Sequence, residues 1–187
     1  MDIRIEPLTA ERWADLGVLF GPRGACGGCW CMFWRQTRAQ FETRKGAANR
    51  RAFRRLVVAG PAPGLLAYAG GEPVGWCALA PRESYARLAR SRTLRGPEAQ
   101  GIWSLTCFFV QRRFRRQGLS VALLKAAGAY AAKQGARLLE GYPVIARKGK
   151  LPDVFAYTGL LPAFRKAGFE ETARPSPSRA IVRLRLR

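Results

Sequence analysis

The sequence predicts one layered domain of the α/β or α+β class that spans residues 1–187. Strand-like and helical segments alternate along the chain, and no repeat or linker interrupts them. The strongest strand pattern, 102–110, is followed at once by the strongest helix pattern, 119–134. A chain of 187 residues can also bury a substantial core. We therefore expect the element order β-α-α-β-β-β-α-β-α-β-β.

The first half of the chain gives a strand followed by two helices. Residues 2–7 alternate apolar and polar side chains, which indicates a strand, and 10–20 show helical spacing. A loop of small residues and cysteines, 24–31, follows this helix. Residues 38–59 predict one long basic helix, which ends at the proline- and glycine-rich segment 61–64.

The second half gives a hairpin, a surface excursion and a strand-helix alternation. Gly70, Gly71 and Glu72 form the turn that a hairpin needs. The predicted elements in chain order are strands 65–69 and 73–79, an irregular or partly helical excursion 81–100, strand 102–110, helix 119–134, strand 137–144, helix 154–167, and strands 169–172 and 180–186.

The net charge of +21, from 33 basic and 12 acidic residues, favours anionic partners. Nucleotide cofactors, nucleic acids and acidic surfaces all meet this description. The alternative is that most of the arginines are solvated and have no binding task. The basic residues are spread over helices and loops, so charge alone does not decide between these interpretations.

The absence of histidine excludes Ser-His-Asp and Cys-His catalysis within the chain, and any histidine-containing zinc site. Five cysteines and no apparent secretion signal favour reduced thiols over a disulfide scaffold. No apolar run has the length of a membrane helix, and the charged start lacks the apolar core of a signal peptide. We expect a soluble cytoplasmic protein.

The segment 110–120 has the features of a pyrophosphate-binding turn, because it joins the best strand to the best helix. A helix start leaves backbone N–H groups without partners, and these groups and the helix dipole attract anions. Gly118 allows close approach of the backbone, and Ser120 keeps the next turn uncrowded. Four arginines add positive charge: Arg112, Arg113, Arg115 and Arg116.

The same segment resembles the acetyl-CoA signature of the GNAT acetyltransferases: a valine, four residues, then Arg/Gln-x-x-Gly-x-Gly/Ala. Val110 and residues 115–120 match this register, with Ser120 in place of the last glycine or alanine. Residues 163–169 resemble the C-terminal signature of the family, and the order of elements is similar throughout. The resemblance implies the acyl-CoA N-acyltransferase fold, a mixed, mostly antiparallel sheet of about six to seven strands flanked by about four helices.

The resemblance further implies acetyl-CoA as cosubstrate, no metal, and direct transfer of an acetyl group to a primary amine. In this family the strand that carries the cofactor splays from its neighbour. The implied pantetheine-binding residues are Phe108, Phe109 and Val110, and the implied pyrophosphate-binding residues are Arg115, Arg116, Gln117, Gly118, Leu119 and Ser120. An N–H near Val110 would polarise the acetyl carbonyl.

The usual acid of the family cannot be carried over to this chain. Many members have a tyrosine four residues before the Gly-Phe pair, and this position is Phe164 here. Tyr157 is the candidate substitute, and the alternative is that it only packs. Glu140 lies in an apolar strand, so it is either ion-paired or a functional base. Tyr142 is a candidate proton relay, and Ser104 a candidate to orient a water. Weaker base candidates are Glu83 and Glu98. A solvent-fed water chain without a dedicated base also remains open.

Cysteines cluster in the loop after the first helix, at Cys26, Cys29 and Cys31. A closed zinc site wants four ligands, so Cys77, Cys107 or a carboxylate would have to complete it. A redox pair is a further alternative. We expect no metal here.

The resemblance implies that the same loop overhangs the acceptor site. Trp30, Phe33 and Trp34 would then wall a pocket in which an amine meets aromatic faces, and the alternative is that these rings pack the loop onto the core. Arg35 is a candidate for binding an acceptor carboxylate or phosphate. The run from Gly28 to Arg35 also resembles that of a subgroup of GNAT-like proteins.

Two functions compete at this point. The first is an N-acetyltransferase acting on a small-molecule or protein amine, with a homo-oligomer and no membrane partner as further expectations. The second is a non-catalytic module that binds nucleic acid or the ribosome through residues 38–55 and 82–95, and such binding would depend strongly on salt. A mixed alternative is a GNAT enzyme with an acidic or ribosome-associated acceptor.

Overall fold

A seven-stranded sheet forms the centre of the computed structural model, which describes residues 2–94, 100–146 and 153–186. The strands are β1 (Ile3–Pro7), β2 (Gly64–Ala69), β3 (Glu72–Pro81), β4 (Ile102–Val110), β5 (Leu138–Gly141), β6 (Glu170–Ser176) and β7 (Arg179–Arg185). Their order across the sheet is β1-β2-β3-β4-β5-β7-β6. Among these described strands, β4 and β5 are the single pair that runs in parallel, so the predicted mixed, mostly antiparallel sheet is confirmed.

Within the described residues, six α-helices flank the sheet. They are α1 (Trp13–Phe20), α2 (Arg38–Arg44), α3 (Ala47–Ala59), α4 (Ala86–Ala89), α5 (Leu119–Lys133) and α6 (Leu161–Lys166). Leu123 of α5 and Phe164 of α6 belong to a core cluster with Leu105 of β4. Leu16 of α1 and Phe53 of α3 pack in a separate cluster with Trp76 of β3. Both clusters are built from apolar side chains at helical spacing. A third, smaller cluster joins Leu88 of α4 to Ala80 of β3 and Ile181 of β7.

The predicted single helix over 38–59 is wrong, because the chain breaks it into α2 and α3. Gly46, at the junction, has φ +81°, which glycine adopts without a steric penalty. Its N–H donates to the carbonyl of Gly28 at 2.9 Å, so the break ties the helix pair to the cysteine loop. A Cβ on Gly28 would collide with the Gly46 backbone, which makes glycine necessary at this approach.

The predicted excursion and the predicted helix over 154–167 each consist of shorter elements in the structure. The excursion contains a 3-10 turn (Arg82–Ser84) and α4, while 95–99, including Glu98, lie outside the described residues. Instead of one helix over 154–167, a 3-10 turn (Asp153–Ala156) precedes α6. The remaining predicted strands and helices are present with shifts of a few residues at their ends, as is usual for element boundaries.

Within the ranges described above, none of the helices is both long and apolar enough to cross a membrane.

Candidate active site

The sheet opens between β4 and β5. Their parallel pairing covers only Ile102 to Leu105 on β4, opposite Leu138 to Gly141 on β5, and β4 then continues to Val110. Beyond this pairing, the N–H of Phe108 donates instead to the carbonyl of Tyr157 at 2.6 Å. The end of β4 is therefore flanked by the segment that leads into α6, and not by β5.

The backbone of β4 directs one N–H group away from β3 at Val110. Gln111 N–H donates to Val74 of β3 at 3.0 Å, whereas Phe108 N–H points to the opposite side. Because backbone groups alternate along a strand, the N–H of Val110 faces the same side as that of Phe108. No described residue accepts from it, while the carbonyl of Val110 accepts from Arg115 Nε at 3.0 Å.

The turn from β4 to α5 exposes a row of backbone N–H groups. After a 3-10 turn (Arg112–Phe114), Arg116 and Gly118 take left-handed conformations with φ +61° and +83°. Helix α5 then begins at Leu119 and runs for 15 residues. Among the described residues, no acceptor binds the N–H groups of 116–120, and 116–118 are exposed. This arrangement is an anion cradle formed by peptide groups and the N-terminus of a helix.

No side chain fills the cradle, and side-chain contacts of the neighbouring turn hold its backbone in place. A Cβ on Gly118 would meet no atom within 4 Å, so the cradle is free of protein side chains at that point. The Gln117 side chain donates to the carbonyl of Arg113 at 2.7 Å, and Arg113 itself pairs with Glu72. Arg112 and Arg116 are exposed beside the cradle and add positive potential.

Phe164 lies at the position where the resemblance described above implies a tyrosine in many members. It is fully buried, and its ring centroid lies 5.9 Å from that of Phe108. A Cβ on Gly159 would lie 2.6 Å from the Phe164 ring, and one on Gly141 would also collide with it. The two glycines therefore hold this ring below the opening between β4 and β5, where it contributes packing and no proton.

Tyr157 lies at the mouth of this opening, and it is the candidate acid that the structure brings beside β4. Its ring centroid is 6.1 Å from that of Phe33, on the loop before α2. Burial raises the pKa of Tyr157 to about 12, against the opposing effect of Arg179. The hydroxyl therefore remains protonated near neutral pH and can act as a donor.

Glu140, Tyr142 and Ser104 form one enclosed hydrogen-bonded chain. The fully buried Glu140 carboxylate accepts from Tyr142 Oη at 2.7 Å, from Arg183 Nε at 2.8 Å, and from Arg82. Tyr142 Oη and Ser104 Oγ are 3.0 Å apart. Burial and the Glu140 charge raise the pKa of Tyr142. The structure supports the ion-paired alternative for Glu140, since its carboxylate is saturated and shielded from solvent.

An open cavity of about 480 Å³ lies beside Tyr157, and we refer to it as the arginine pocket. Its lining residues are Phe33, Trp34, Thr37, Arg38, Arg87, Arg90, Ser91 and Tyr157. Two of the rings predicted to wall an acceptor site, Phe33 and Trp34, thus line this cavity. Sequence reasoning did not single out Arg87, because its segment has no motif or regular period.

Trp30 and Arg35 do not line the pocket. Trp30 is 4% exposed and packs against Trp13 and Phe20, with ring centroids 6.0 and 5.8 Å away, so the core-packing alternative applies to it. Arg35 lies over the ring of Tyr85 at 4.7 Å and donates to its hydroxyl at 3.4 Å. The predicted pocket roles of Trp30 and Arg35 are therefore wrong. The loop directs these two side chains towards the protein interior, whereas Phe33 and Trp34 face the pocket.

The cysteine loop packs as an apolar element. Cys31 is buried and accepts from Trp76 Nε1 at 3.0 Å, and Cys29 Sγ donates to the carbonyl of Gly24 at 3.5 Å. Cys26 is exposed, and burial raises the pKa of Cys29 to about 11. Over the described ranges, no three cysteine or carboxylate side chains are grouped so that they could hold a metal ion.

Comparison with known proteins gives a family and a fold. The model of the acetyltransferase (GNAT) family matches residues 29–142, which is more than half of the chain. No curated protein sequence matches significantly. The structure is similar to a GNAT-family acetyltransferase from Streptococcus pneumoniae, with a TM-score of 0.57 and 14% identity over 99% of each chain.

Two further similar structures contain coenzyme A or acetyl-CoA. PaiA N-acetyltransferase from Thermoplasma acidophilum in complex with coenzyme A has a TM-score of 0.52 and 15% identity over 99% of each chain. The complex of AAC(6')-Ib with paromomycin and acetyl-CoA has a TM-score of 0.56 and 13% identity, over 99% of this chain and 94% of that chain. At these identities the likeness establishes the shared fold.

Proposed function

Because the chain belongs to the acetyltransferase (GNAT) family and is therefore an acyltransferase, we propose that it transfers an acetyl group from acetyl-CoA to the primary amine of an acceptor. The observation that carries this proposal is the open row of N–H groups over 116–120, at the N-terminus of α5 and directly beyond β4. An exposed row of this kind suits the pyrophosphate of coenzyme A.

The residues beside this cradle fit the rest of the cosubstrate. The backbone of Phe108, Phe109 and Val110 borders the opening in the sheet, where the pantetheine arm would lie. The pyrophosphate contacts would come from the row of N–H groups of Arg116, Gln117, Gly118, Leu119 and Ser120. The predicted backbone contact of Arg115 is not part of this row, because its N–H donates to the carbonyl of Arg112 at 3.3 Å. Acetyl-CoA, when bound, supplies an acetyl group activated as a thioester.

Two groups of the chain have the placement that acetyl transfer needs. The N–H of Val110, directed away from β3, is available to donate to an acyl oxygen. Tyr157 is placed as the donor of the proton that the departing coenzyme A thiolate takes up when the amine nitrogen forms its bond to the acetyl carbon, and its backbone is fixed to β4 through Phe108. Glu140 and Tyr142 hold β5 and its neighbours in place and take no part in proton transfer.

The acceptor amine enters through the arginine pocket, which adjoins Tyr157 and is open to solvent. Its proton can leave to water through the same opening, so no dedicated base is required. A small-molecule acceptor fits a cavity of about 480 Å³. The structurally similar AAC(6')-Ib was likewise solved with a small molecule, paromomycin.

Thermal unfolding of the full chain with and without ligands tests the proposal. Acetyl-CoA at about 100 times its Kd should stabilise the folded chain by about 2.7 kcal/mol, and a short RNA should have no comparable effect. Acetyl-CoA that leaves the Tm unchanged, with RNA that raises it, would instead favour the nucleic-acid-binding alternative. Mass spectrometry of amine mixtures then identifies acetylated products.

A further inference from the structure

We propose that the acceptor carries an anionic group, a carboxylate or a phosphate, and that Arg87 binds this group in the arginine pocket. This inference rests on the proposed acetyl transfer and specifies its substrate class. It begins from the charge of the cavity: three of the eight lining residues are arginines, and none is acidic.

Arg87 is the arginine whose environment most requires an anion. Its guanidinium carbon lies 3.9 Å from the ring centroid of Phe33, and its Nε and Nη2 are buried without hydrogen-bond partners among the described residues. Arg87 as a whole is half-buried, but donors that are shielded from water without a partner are unfavourable, and an anion that reaches them after a small movement of the side chain stabilises them.

The two unpartnered nitrogens of Arg87 also match the shape of the proposed group. Nε and Nη2 lie on the same edge of the planar guanidinium, which presents two parallel N–H donors. Carboxylate and phosphate oxygens accept from such an edge in pairs. The ring of Phe33 packs against the flat face of the Arg87 guanidinium, which restricts the direction in which these two donors point. The backbone N–H of Arg87 also donates to the carbonyl of Trp34 at 3.1 Å, which fixes the start of α4 to the loop that carries Phe33 and Trp34.

The remaining arginines supply charge without such fixed geometry. Arg38 and Arg90 line the same cavity and are exposed, so each can approach a second oxygen of a bound anion. The nearest carboxylate on α2, Glu42, is exposed and already pairs with Lys45. An anion at Arg87 therefore has two further cations in the same cavity.

The pocket places this anion close to the proposed reaction centre. Phe33 contacts Arg87 on one side and Tyr157 on the other, and Tyr157 borders the end of β4. An acceptor anchored by its anionic group at Arg87 would thus extend its amine past Tyr157.

The test compares matched amines that differ only in the anionic group. L-amino acids are paired with their decarboxylated amines, and phosphoethanolamine and glucosamine 6-phosphate with ethanolamine and glucosamine. Acetyl transfer is measured for the wild-type chain and for Arg87→Gln, Arg87→Lys and Arg55→Gln, the last an exposed arginine on α3 that serves as a control. Binding of acetyl-CoA is measured separately for each variant.

We expect the anionic member of the best pair to be acetylated with a kcat/KM at least about tenfold higher. Arg87→Gln should raise the KM for that acceptor and remove the preference, while leaving the neutral partner and acetyl-CoA binding unchanged. Arg87→Lys should restore part of the preference, and Arg55→Gln should behave as wild type. The carboxylate and phosphate pairs show which anion is preferred.

Three results would overturn the inference: a neutral best acceptor, an anionic preference that survives Arg87→Gln, or bound acetyl-CoA without transfer to any anionic amine. In each of them the cosubstrate assignment stands. Failure of acetyl-CoA to bind the wild-type chain would instead overturn the proposed function itself, so the two failures are distinguishable.

Discussion

The N–H of Phe108 donates a hydrogen bond of 2.6 Å to the carbonyl of Tyr157, across the opening that β5 leaves beside β4. This bond joins a strand residue next to the proposed acyl site to the segment that carries the proposed proton donor. The position of the tyrosine is thus set by the backbone of the sheet and does not depend on a helix.

Replacement of Gly118 by valine should abolish coenzyme A binding, because the new side chain fills the space in front of the 116–120 N–H groups. Gly118→Val also strains the backbone at φ +83° by about 1–3 kcal/mol. Gly135→Val is the matched control, since Gly135 has φ +80°, has equally open surroundings and lies at the other end of α5. Calorimetric titration should show loss of binding in the first variant alone, and equal affinities would contradict the cradle.

Tyr157→Phe should lower kcat by roughly 10²-fold and leave the Kd for acetyl-CoA and the Tm nearly unchanged. The reason is that the ring and its backbone bond remain while the proton donor is lost. Since burial raises the pKa of Tyr157 to about 12, this hydroxyl is still largely protonated at pH 10.5. The wild-type rate should therefore rise as the amine deprotonates and show no decline up to pH about 10.5. A decline centred near pH 10 would contradict the raised pKa of this hydroxyl, whereas an unaffected kcat in the variant would remove Tyr157 from the reaction.

Glu140→Gln should destabilise the protein by about 3 kcal/mol, because it leaves Arg82 and Arg183 without their common buried carboxylate. Glu171→Gln is the control, since Glu171 pairs with two exposed arginines at the surface and its loss should change the Tm little. Denaturant unfolding measures both. A folded Glu140→Gln variant with wild-type stability and no activity would mean that Glu140 is a catalytic base after all.

Phe164→Tyr should not supply the missing acid. The ring is fully buried against Gly141 and Gly159, so an added hydroxyl needs space and a partner that the packing does not provide. We expect a loss of about 1–3 kcal/mol in the free energy of unfolding and no gain in kcat. The double variant with Tyr157→Phe is the second measurement. If its activity exceeds that of Tyr157→Phe alone, a tyrosine at position 164 of α6 can act as the acid in this chain.

The sequence predicts well those features that depend on local pattern. The turn before Gly118 and the ends of β4 follow from residue types at fixed spacing, and so does the hairpin of β2 and β3. Long-range packing decides the rest. Gly46 interrupts a helical pattern because the distant Gly28 backbone contacts it, and Trp30 turns inward while Phe33, three residues on, lines the pocket.

Arg87 illustrates the same limit at the candidate site. Nothing in the irregular excursion distinguishes it from the other arginines of a chain with 33 basic residues. Its role depends on the ring of Phe33, more than 50 residues earlier, and on burial that only the fold creates. For Glu140, in contrast, the sequence correctly limits the choice to an ion pair or a functional group, because a carboxylate in an apolar strand needs a partner.

The brief parallel contact of β4 with β5 divides the sheet into two plates, β1-β2-β3-β4 and β5-β7-β6, joined along four residue pairs. A cosubstrate bound between the plates would contact both of them and stabilise their relative position, where only four residue pairs join β4 to β5. Amide hydrogen exchange along Phe108 to Val110 and along β5 should then slow together on cosubstrate binding, while β1, at the far edge, should exchange as before.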